Sequence, residues 1–320
     1  MQHDGTFTMA SSSSNGPASA VSQRGFVALP NLKIVKIYYE LHQPVQPQIG
    51  NQVPVVLLSN SLAANTALWK HFVDTLAADY TILTYDHRFH GKSPLPDTGA
   101  TYDFDQGHDI ADLASDVIAL LDALNIQKVH VAVGLSIGAA VVLAAASSNP
   151  ERFDHVFVVG TKAEAFPGDD ASHNARIKLA RAQGMAAMNA QSLTRWFGEA
   201  WVAKNPEKAA FVKDEVLAGT SVEGFVASVQ ALRRLNLWAC ADKISKNGEG
   251  EKFMFVVGEH DAPPVVKDSK ALAKRAGSAF IQVRNSGHIV SVQNPEALEA
   301  LIRQRLGRNL SGTQATNVSP

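Results

Sequence analysis

The sequence predicts an α/β protein in which a mostly parallel, doubly wound sheet is interrupted by an inserted helical cap. Short apolar runs that end in polar or glycine-containing turns recur along the chain, for example at residues 53–58, 81–85 and 129–133. Helical segments follow several of these runs, as expected for βαβ units. Between residues 164 and 242 the strand pattern stops and apolar residues recur at helical spacing. The strands therefore fall into two blocks, and the helices between them are expected to cover the sheet as a cap.

The elements of the first block can be assigned in order. Residues 34–41 show the mixed alternation that is typical of an edge strand. Residues 109–124 place apolar side chains at helical spacing and predict an amphipathic helix. The alanine-rich segment at 139–146 predicts a second helix, and the apolar run at 156–160 predicts a further strand.

These assignments define the domain organisation. We expect the sheet core over residues 30–163 and 243–308, and the cap over residues 164–242. The terminal segments, residues 1–29 and 309–320, contain many small and polar residues and are expected to be disordered tails.

The balance of charge and the scarcity of cysteine exclude several classes of protein. The chain has 320 residues, with 29 Lys and Arg against 30 Asp and Glu, and a formal charge of −1. No basic surplus indicates nucleic-acid binding, and no apolar run approaches the roughly 18 residues of a membrane span. The N-terminus lacks the pattern of a secretory signal, and the single cysteine, Cys240, excludes an intrachain disulfide. We expect a cytoplasmic protein with neither nucleic-acid nor membrane partners.

The segment Gly134-Leu135-Ser136-Ile137-Gly138 lies between a predicted buried strand and a predicted helix. This strand–turn–helix context is that of a nucleophile elbow, a tight turn that projects a serine hydroxyl above the sheet. The two glycines remove side chains that would collide with the neighbouring strand and helix. The helix N-terminus directs backbone N–H groups at any developing negative charge. Ser136 is therefore the candidate nucleophile.

A serine nucleophile needs a base and an acid that orients the base, and the chain supplies both downstream. Asp261 follows the apolar run at 252–258 and precedes a Pro-Pro break, where a doubly wound sheet places its functional groups. His288 follows the apolar run at 279–283, directly after a glycine, at the tip of a predicted loop. The order Ser136, Asp261, His288 is the order Ser…Asp…His of a catalytic triad.

Other candidates for these roles compete less well. Glu259 is a weaker acid candidate, because the spacing from the glycine at the strand end favours position 261. His87 and His90 are three residues apart and could bind a metal, but no third ligand lies nearby at a suitable spacing. We therefore interpret both as structural loop residues, and His260 as a loop neighbour of Asp261.

Taken with these motifs, the chain resembles α/β-hydrolases of the 3-oxoadipate enol-lactonase type, over roughly residues 33–306. Besides the elbow, the segments that carry the resemblance are Leu57-Leu58-Ser59-Asn60-Ser61-Leu62, Leu83 to Ser93, Gly258 to Asp261, Gly287 to Glu296 and, in the cap, Ala175-Arg176-Ile177, Gly184-Met185 and Arg195-Trp196-Phe197. The resemblance implies the α/β-hydrolase fold and a serine-dependent lactonase activity.

The chain departs from this family at several positions. The resemblance implies an arginine and a tryptophan early in the cap that hold a substrate carboxylate, and these places correspond to Glu164 and His173. A glutamate would repel a carboxylate where an arginine would pair with it. Phe89 also replaces a glycine in the loop after the strand at 81–85. We therefore expect a substrate other than 3-oxoadipate enol-lactone.

The oxyanion hole is expected between the elbow and the loop after the strand at 53–58. The donors are the backbone N–H groups of Ile137, directly after the nucleophile, and of Leu62. Asn60 and Ser61, which precede Leu62, are interpreted as substrate-binding residues, although the alternative is a plain Asx turn.

Three aromatic residues of the cap are expected to line the substrate pocket, namely Trp196, Trp201 and Phe225. We expect hydrolysis of a small-molecule ester or lactone through an acyl-enzyme on Ser136, without a metal or an organic cofactor. Two alternatives remain open. The same triad could cleave a C–C bond or act as a perhydrolase, or the fold could be a non-catalytic ligand receptor.

Overall fold

The computed structural model describes residues 20–30, 32–45, 53–97, 101–166, 168–307 and 318–319. Within these residues a nine-stranded sheet has the order β1-β2-β4-β3-β5-β6-β7-β8-β9. The strands are β1 Ala20–Leu29, β2 Leu32–Pro44, β3 Val55–Ser59, β4 Thr81–Tyr85, β5 Val129–Leu135, β6 Phe153–Val159, β7 Phe253–Gly258, β8 Ala279–Val283 and β9 Val318–Ser319. Pairs from β3 to β8 are parallel, whereas β1, β2 and β9 pair antiparallel with their neighbours.

The central strands consist of apolar residues with almost no interruption, and nearly all of their side chains are buried. Such runs are typical of parallel strands that are covered on both faces. The chain reverses its direction of progress across the sheet at β3, since β4 lies on one side of it and β5 on the other. In open α/β sheets, ligands bind beyond the carboxyl ends of the strands at such a switch point. The predicted fold class is confirmed.

The helices of the described chain alternate with the strands from β3 onward and are most numerous between β6 and β7. They are α1 Lys70–Leu76, α2 Ile110–Ala123, α3 Ile137–Ser148, α4 Asp169–Phe197, α5 Glu199–Lys204, α6 Pro206–Phe211, α7 Val222–Arg233, α8 Trp238–Lys246, α9 Pro263–Ala276, α10 Val290–Gln293 and α11 Pro295–Arg305, with a π-helical turn over Val212–Val216. None of them combines the length and the apolarity that a membrane span requires.

The insertion between β6 and β7 begins with α4, which is broken at Gly184 by non-helical backbone angles (φ 76°, ψ 178°). A positive φ of this kind suits glycine. Helix α7 packs against α4. Helix α8, in contrast, packs against α3 and α9, which also contact strands of the sheet. An amphipathic sequence does not reveal which layer its apolar face meets, so the cap boundary at residue 242, which falls inside α8, stays a prediction.

The expected disordered tails also need correction where the structure describes them. Residues 20–29 form β1 and pair along β2, with Phe26 opposite Tyr38 and their ring centroids 5.5 Å apart. Val318–Ser319 pair with β8. Residues 34–41 accordingly belong to an inner strand rather than to an edge. The remainder of both tails, residues 1–19, 309–317 and 320, lies outside the described part of the chain.

A buried ion pair holds the loop after β4 against α2. Arg88 Nε and Nη2 donate to the two carboxylate oxygens of Asp116, at 2.5 and 2.7 Å. Both residues are at most 6% exposed. Burial raises the pKa of Asp116 to about 6, although the charge of Arg88 opposes this shift. The pair is a bidentate contact, the strongest geometry for these groups.

We predict that Asp116→Ala lowers the free energy of unfolding by about 3–5 kcal/mol, because Arg88 would remain buried without a partner. The matched control is Asp122→Ala on the same helix, where the carboxylate is 59% exposed and pairs with Arg152. An exposed pair contributes about 0–1 kcal/mol. Urea unfolding of the two variants provides the measurement, and equal losses would contradict the prediction.

Candidate active site

Ser136 connects the end of β5 to the start of α3 and adopts φ 59°, ψ −115°. A positive φ is unfavourable for a residue with a side chain and persists only where the surroundings enforce it. Here the Ser136 amide donates to the carbonyl of Val159 at the end of β6, over 2.8 Å. The turn is therefore held by the neighbouring parallel strand.

The glycines on either side of Ser136 are required by close backbone approaches. A Cβ on Gly134 would overlap the carbonyl of Gly138 in the first turn of α3. A Cβ on Gly138 would overlap the carbonyls of Ser59 and Asn60, at the end of β3. Helix α3 thus rests directly on the backbone of β3, and the turn has the contacts predicted for a nucleophile elbow.

Asp261 and His288 lie on the loops after β7 and β8 and form a hydrogen-bonded pair. His288 Nδ1 lies 3.0 and 3.1 Å from the two carboxylate oxygens of Asp261. The Ala262 amide also donates to Asp261 Oδ1 over 2.7 Å. A proton on Nδ1 that bonds to the carboxylate leaves Nε2 of His288 as a proton acceptor. Glu259 has a different partner, since its carboxylate accepts a hydrogen bond from the Asn285 amide.

Gly160 lies close to the Asp261–His288 pair and to the elbow. A Cβ on Gly160 would lie 3.3 Å from Asp261 Oδ2 and 3.6 Å from His288 Nδ1. Gly160 directly follows Val159, whose carbonyl accepts from the Ser136 amide. The carboxyl ends of β5, β7 and β8 therefore carry Ser136, Asp261 and His288 on the same edge of the sheet. No hydrogen bond joins Ser136 Oγ to His288 in the described chain, and catalytic hydrogen bonds are often long in free enzymes.

The two backbone amides expected to form an oxyanion hole are unpaired within the described residues, because neither the Leu62 nor the Ile137 N–H donates to another group of that region. Ile137 is the first residue of α3, where backbone N–H groups have no partner inside the helix. Leu62 follows the segment on which Gly138 rests. Both donors thus lie beside the elbow, free to donate to a negatively charged oxygen.

The side chain of Asn60, a predicted substrate-binding residue, forms hydrogen bonds inside the protein. It is fully buried, and its amide nitrogen donates to the Tyr85 carbonyl at 2.8 Å. Its amide oxygen accepts from Trp69 Nε1, also at 2.8 Å. These bonds use much of the hydrogen-bonding capacity of the side chain inside the protein, so substrate binding by Asn60 stays a prediction. The side chain of Ser61 is also buried, and its hydroxyl has no hydrogen-bond partner in the described chain.

His87 supports the same loop, a role that its sequence motif does not reveal. Its Nε2 donates to the Asn60 carbonyl over 3.0 Å, two residues before Leu62. Burial, and next the positive charge that His90 could carry, lower the pKa of His87 to about 3, so the ring is neutral at pH 7. The described residues contain no group of three or more potential metal ligands.

The three predicted lining residues occupy different environments. Trp196 is buried, and its carbonyl accepts from the His288 amide over 3.3 Å. Trp201 stacks on Phe197 with ring centroids 4.4 Å apart. Phe225 is fully buried beneath the guanidinium of Arg176, whose Cζ lies 5.2 Å from the ring centroid. The end of α4 therefore touches the loop that carries His288.

Comparison with known proteins shows the family of the chain. The sequence model of the alpha/beta hydrolase fold family matches residues 54–295. The chain belongs to this family. A relative, 3-oxoadipate enol-lactonase 2 of Acinetobacter baylyi, is 29% identical over 255 residues, covering 80% of this chain and 89% of that protein. The resemblance stated from the sequence is confirmed.

Solved structures of two other proteins superpose over most of the chain. An enol-lactonase from Burkholderia xenovorans LB400 has a TM-score of 0.73 at 24% identity and covers 89% of this chain and 100% of its own. A hydrolase from Pseudomonas aeruginosa PA01 has a TM-score of 0.74 at 25% identity, with coverages of 89% and 98%. These superpositions show the same fold, whereas the family model and the sequence relative support a hydrolase related to enol-lactonases.

We predict that His87 makes the protein less stable in acid. Its pKa is about 3 when folded, against 6.5 as a reference value. Below pH 6.5 the unfolded chain binds a proton that the folded chain does not, so the free energy of unfolding falls by about 1.4 kcal/mol per pH unit. The pKa of Asp86 is raised to about 6, and protonation of this carboxyl changes the unfolding free energy in the opposite direction. The contribution of His87 is therefore obtained by comparing variants.

His87→Gln keeps a donor for the Asn60 carbonyl and removes the titration. From pH 6 to pH 4 the wild type should lose about 2–3 kcal/mol more unfolding free energy than this variant. His260→Gln, at an exposed histidine, should follow the wild type. Denaturant unfolding at each pH provides the measurement. Parallel curves of unfolding free energy against pH for the wild type and His87→Gln would disprove the effect predicted for His87.

Proposed function

We propose that this hydrolase cleaves a carboxylic ester or lactone through an acyl-enzyme on Ser136. The observation that carries the proposal is the convergence of three features at one edge of the sheet. These are the strained elbow at Ser136, the hydrogen-bonded pair of Asp261 and His288, and the two unpaired amides beside the elbow. A nucleophile, an oriented base and oxyanion donors are the parts that acyl transfer requires.

In the first half of the reaction, His288 Nε2 takes the proton of Ser136 Oγ as that oxygen bonds to the substrate carbonyl carbon. The carbonyl π electrons move onto oxygen, and the amides of Ile137 and Leu62 stabilise the resulting oxyanion. One such donor contributes about 3–4 kcal/mol to the transition state. The C–O bond to the leaving group then breaks, and the leaving oxygen receives the proton from His288.

In the second half, His288 Nε2 takes a proton from water while the water oxygen bonds to the acyl carbon. The bond between that carbon and Ser136 Oγ breaks, and Oγ recovers the proton from His288. Asp261 keeps its proton-free form throughout and stabilises the imidazolium. When the substrate is a lactone, the leaving alcohol remains attached to the acyl group, so ring opening yields a single hydroxy acid.

The relative named as a 3-oxoadipate enol-lactonase supports a lactone or ester as the scissile group. That activity belongs to the relative, and the present chain shares 29% of its residues over the aligned region. The departures at Glu164 and His173 support a different acyl or alcohol group from that of the enol-lactone. The scissile bond is thus proposed by analogy, whereas the nucleophile and base are proposed from the geometry.

We predict that Ser136→Ala abolishes the turnover of 4-nitrophenyl butyrate and of simple lactones. Rapid mixing of the wild type with excess 4-nitrophenyl ester should release a stoichiometric burst of 4-nitrophenol, since acylation precedes hydrolysis. Ser115→Ala, at an exposed serine of α2, is the matched control and should keep full turnover. Turnover that survives in Ser136→Ala, or its absence in a folded wild type, would refute the proposal.

A second prediction separates the two carboxylates that follow β7. Asp261→Asn should reduce kcat by about 10³–10⁴-fold, because an amide favours the wrong tautomer of His288. Glu259→Gln should change kcat by less than about threefold, because its carboxylate contacts the Asn285 amide instead of the imidazole. Steady-state kinetics on the same ester provides the measurement. Equal effects of the two substitutions would show that Asp261 is not the orienting acid.

A further inference from the structure

The turn that carries Leu62 contains an unfavourable backbone position. The Ala64 amide donates to the Ser61 carbonyl over 3.1 Å, which closes a four-residue turn with Leu62 and Ala63 at its centre. Of these two central residues only Ala63 has a positive φ, 66°. This is the pattern of a type II turn, which favours glycine at the second central position. Because an alanine there is strained, other contacts must hold the turn in this form.

One such contact comes from the insertion between β6 and β7. Thr220 Oγ1 donates to the Ala63 carbonyl over 3.0 Å, and no other group of the described chain donates to that carbonyl. Thr220 is 6% exposed and Ala63 is 2% exposed. Since water has little access to either residue, the carbonyl would remain without a partner if the hydroxyl were removed. The bond therefore favours the conformation in which the Ala63 carbonyl faces the insertion.

The segment that precedes Thr220 is itself fixed to the core. Asn65 donates to three carbonyls of residues 215–218, once through its amide and twice through its side-chain nitrogen. A Cβ on Gly219 would lie 2.6 Å from the Gly91 carbonyl oxygen, so the two backbones are in direct contact there. The hydroxyl of Thr220 is thus presented from a fixed backbone, and it can hold the Ala63 carbonyl instead of following it.

We propose that Thr220 is a positioning residue that, through Ala63, keeps the Leu62 amide directed at the oxyanion. The inference rests on the proposed function, in which that amide is an oxyanion donor, and it adds a control by the insertion over that site. If Ala63 left its positive φ, the Leu62–Ala63 peptide would reverse and the turn would change shape. A displaced donor stabilises the transition state less, because its effect depends on its position before the reaction.

Ser221 provides a neighbouring hydroxyl with a different partner. Its Oγ donates to the Phe89 carbonyl over 3.3 Å and accepts from the Gly224 amide at the start of α7. Ser221 therefore also joins the insertion to a core loop, but this loop follows β4 and does not carry Leu62. A general role in attaching the insertion would be shared by Ser221 and Thr220, whereas positioning of the Leu62 amide belongs to Thr220 alone.

The first test compares three variants in steady-state hydrolysis of 4-nitrophenyl butyrate. Thr220→Val replaces the hydroxyl with a methyl group, and kcat should fall about tenfold or more while KM changes by less than about twofold, since the interaction is lost in the transition state. Thr220→Ser keeps a hydroxyl and should stay within about threefold of the wild-type kcat. Ser221→Ala should keep the wild-type kcat, although loss of the helix cap lowers its stability.

Three outcomes of this comparison would overturn the proposal. They are an unchanged kcat in Thr220→Val, a rise in its KM without a fall in kcat, and equal losses of kcat in Thr220→Val and Ser221→Ala. The last outcome would show that both hydroxyls act by attaching the insertion.

Addition of Ala63→Gly to Thr220→Val tests the route through Ala63. Glycine adopts a positive φ without steric cost, so the turn would depend less on the hydroxyl. The double variant should recover kcat to within about threefold of the wild type. A double variant no more active than Thr220→Val would contradict the proposal, because the hydroxyl would then act by another route.

A measurement without turnover distinguishes failure of this inference from failure of the proposed function. Hydrogen exchange of the Ala64 amide, followed by NMR in Ser136→Ala, reports opening of the turn that this amide closes. Adding Thr220→Val should speed the exchange about tenfold or more, and adding Ser221→Ala should leave it unchanged. Equal exchange with and without Thr220→Val would refute the inference. If the wild type cleaves no ester but exchange responds as expected, Thr220 holds the turn and only the hydrolase function fails.

Discussion

The proposed site depends on one close backbone approach, that of the first turn of α3 to the end of β3. The approach is possible only because Gly138 has no side chain to overlap the carbonyls of Ser59 and Asn60. It brings the amide of Ile137 and the loop that carries Leu62 to the same place. It also leaves Ser136 at the point where the chain turns from strand into helix, with a strained φ. The positions of the proposed nucleophile and of the proposed oxyanion donors thus depend on a single contact.

The loop on the β3 side of this contact is held by a network of buried polar groups rather than by packing alone. Asp86 accepts from the amides of Thr66 and Lys92, each over 2.8 Å. Asn60 bonds to Tyr85 and Trp69, and His87 bonds to the Asn60 carbonyl. Because such groups are costly to leave unsatisfied, each bond restricts the loop to one conformation. The amide of Leu62 is therefore positioned before substrate arrives, as its proposed role in the oxyanion hole requires.

The sequence predicts those parts of the molecule that are encoded locally. The elbow is such a part, because a buried strand, two spaced glycines and a helix are contiguous in the chain. The pairing of residues 20–29 with β2 is not predictable in this way. The segment has only a weak apolar pattern, and it forms a strand because it pairs with β2 and contacts side chains there, such as Tyr38. The buried hydrogen bonds of Asn60 and of His87 are equally hidden. Both depend on neighbours that come from distant parts of the chain, and periodicity carries no information about which polar groups meet.

The strand β1 has a consequence for the behaviour of shortened forms of the chain. It covers one side of β2, a strand of thirteen residues whose backbone N–H and C=O groups would otherwise face outward. A chain beginning at residue 30, where the sequence pattern places the start of the sheet core, would present that long row of unpaired groups as a template for other chains. The first strand thus protects the protein against intermolecular sheet formation. It lies at the opposite end of the sheet from the loop that carries His288.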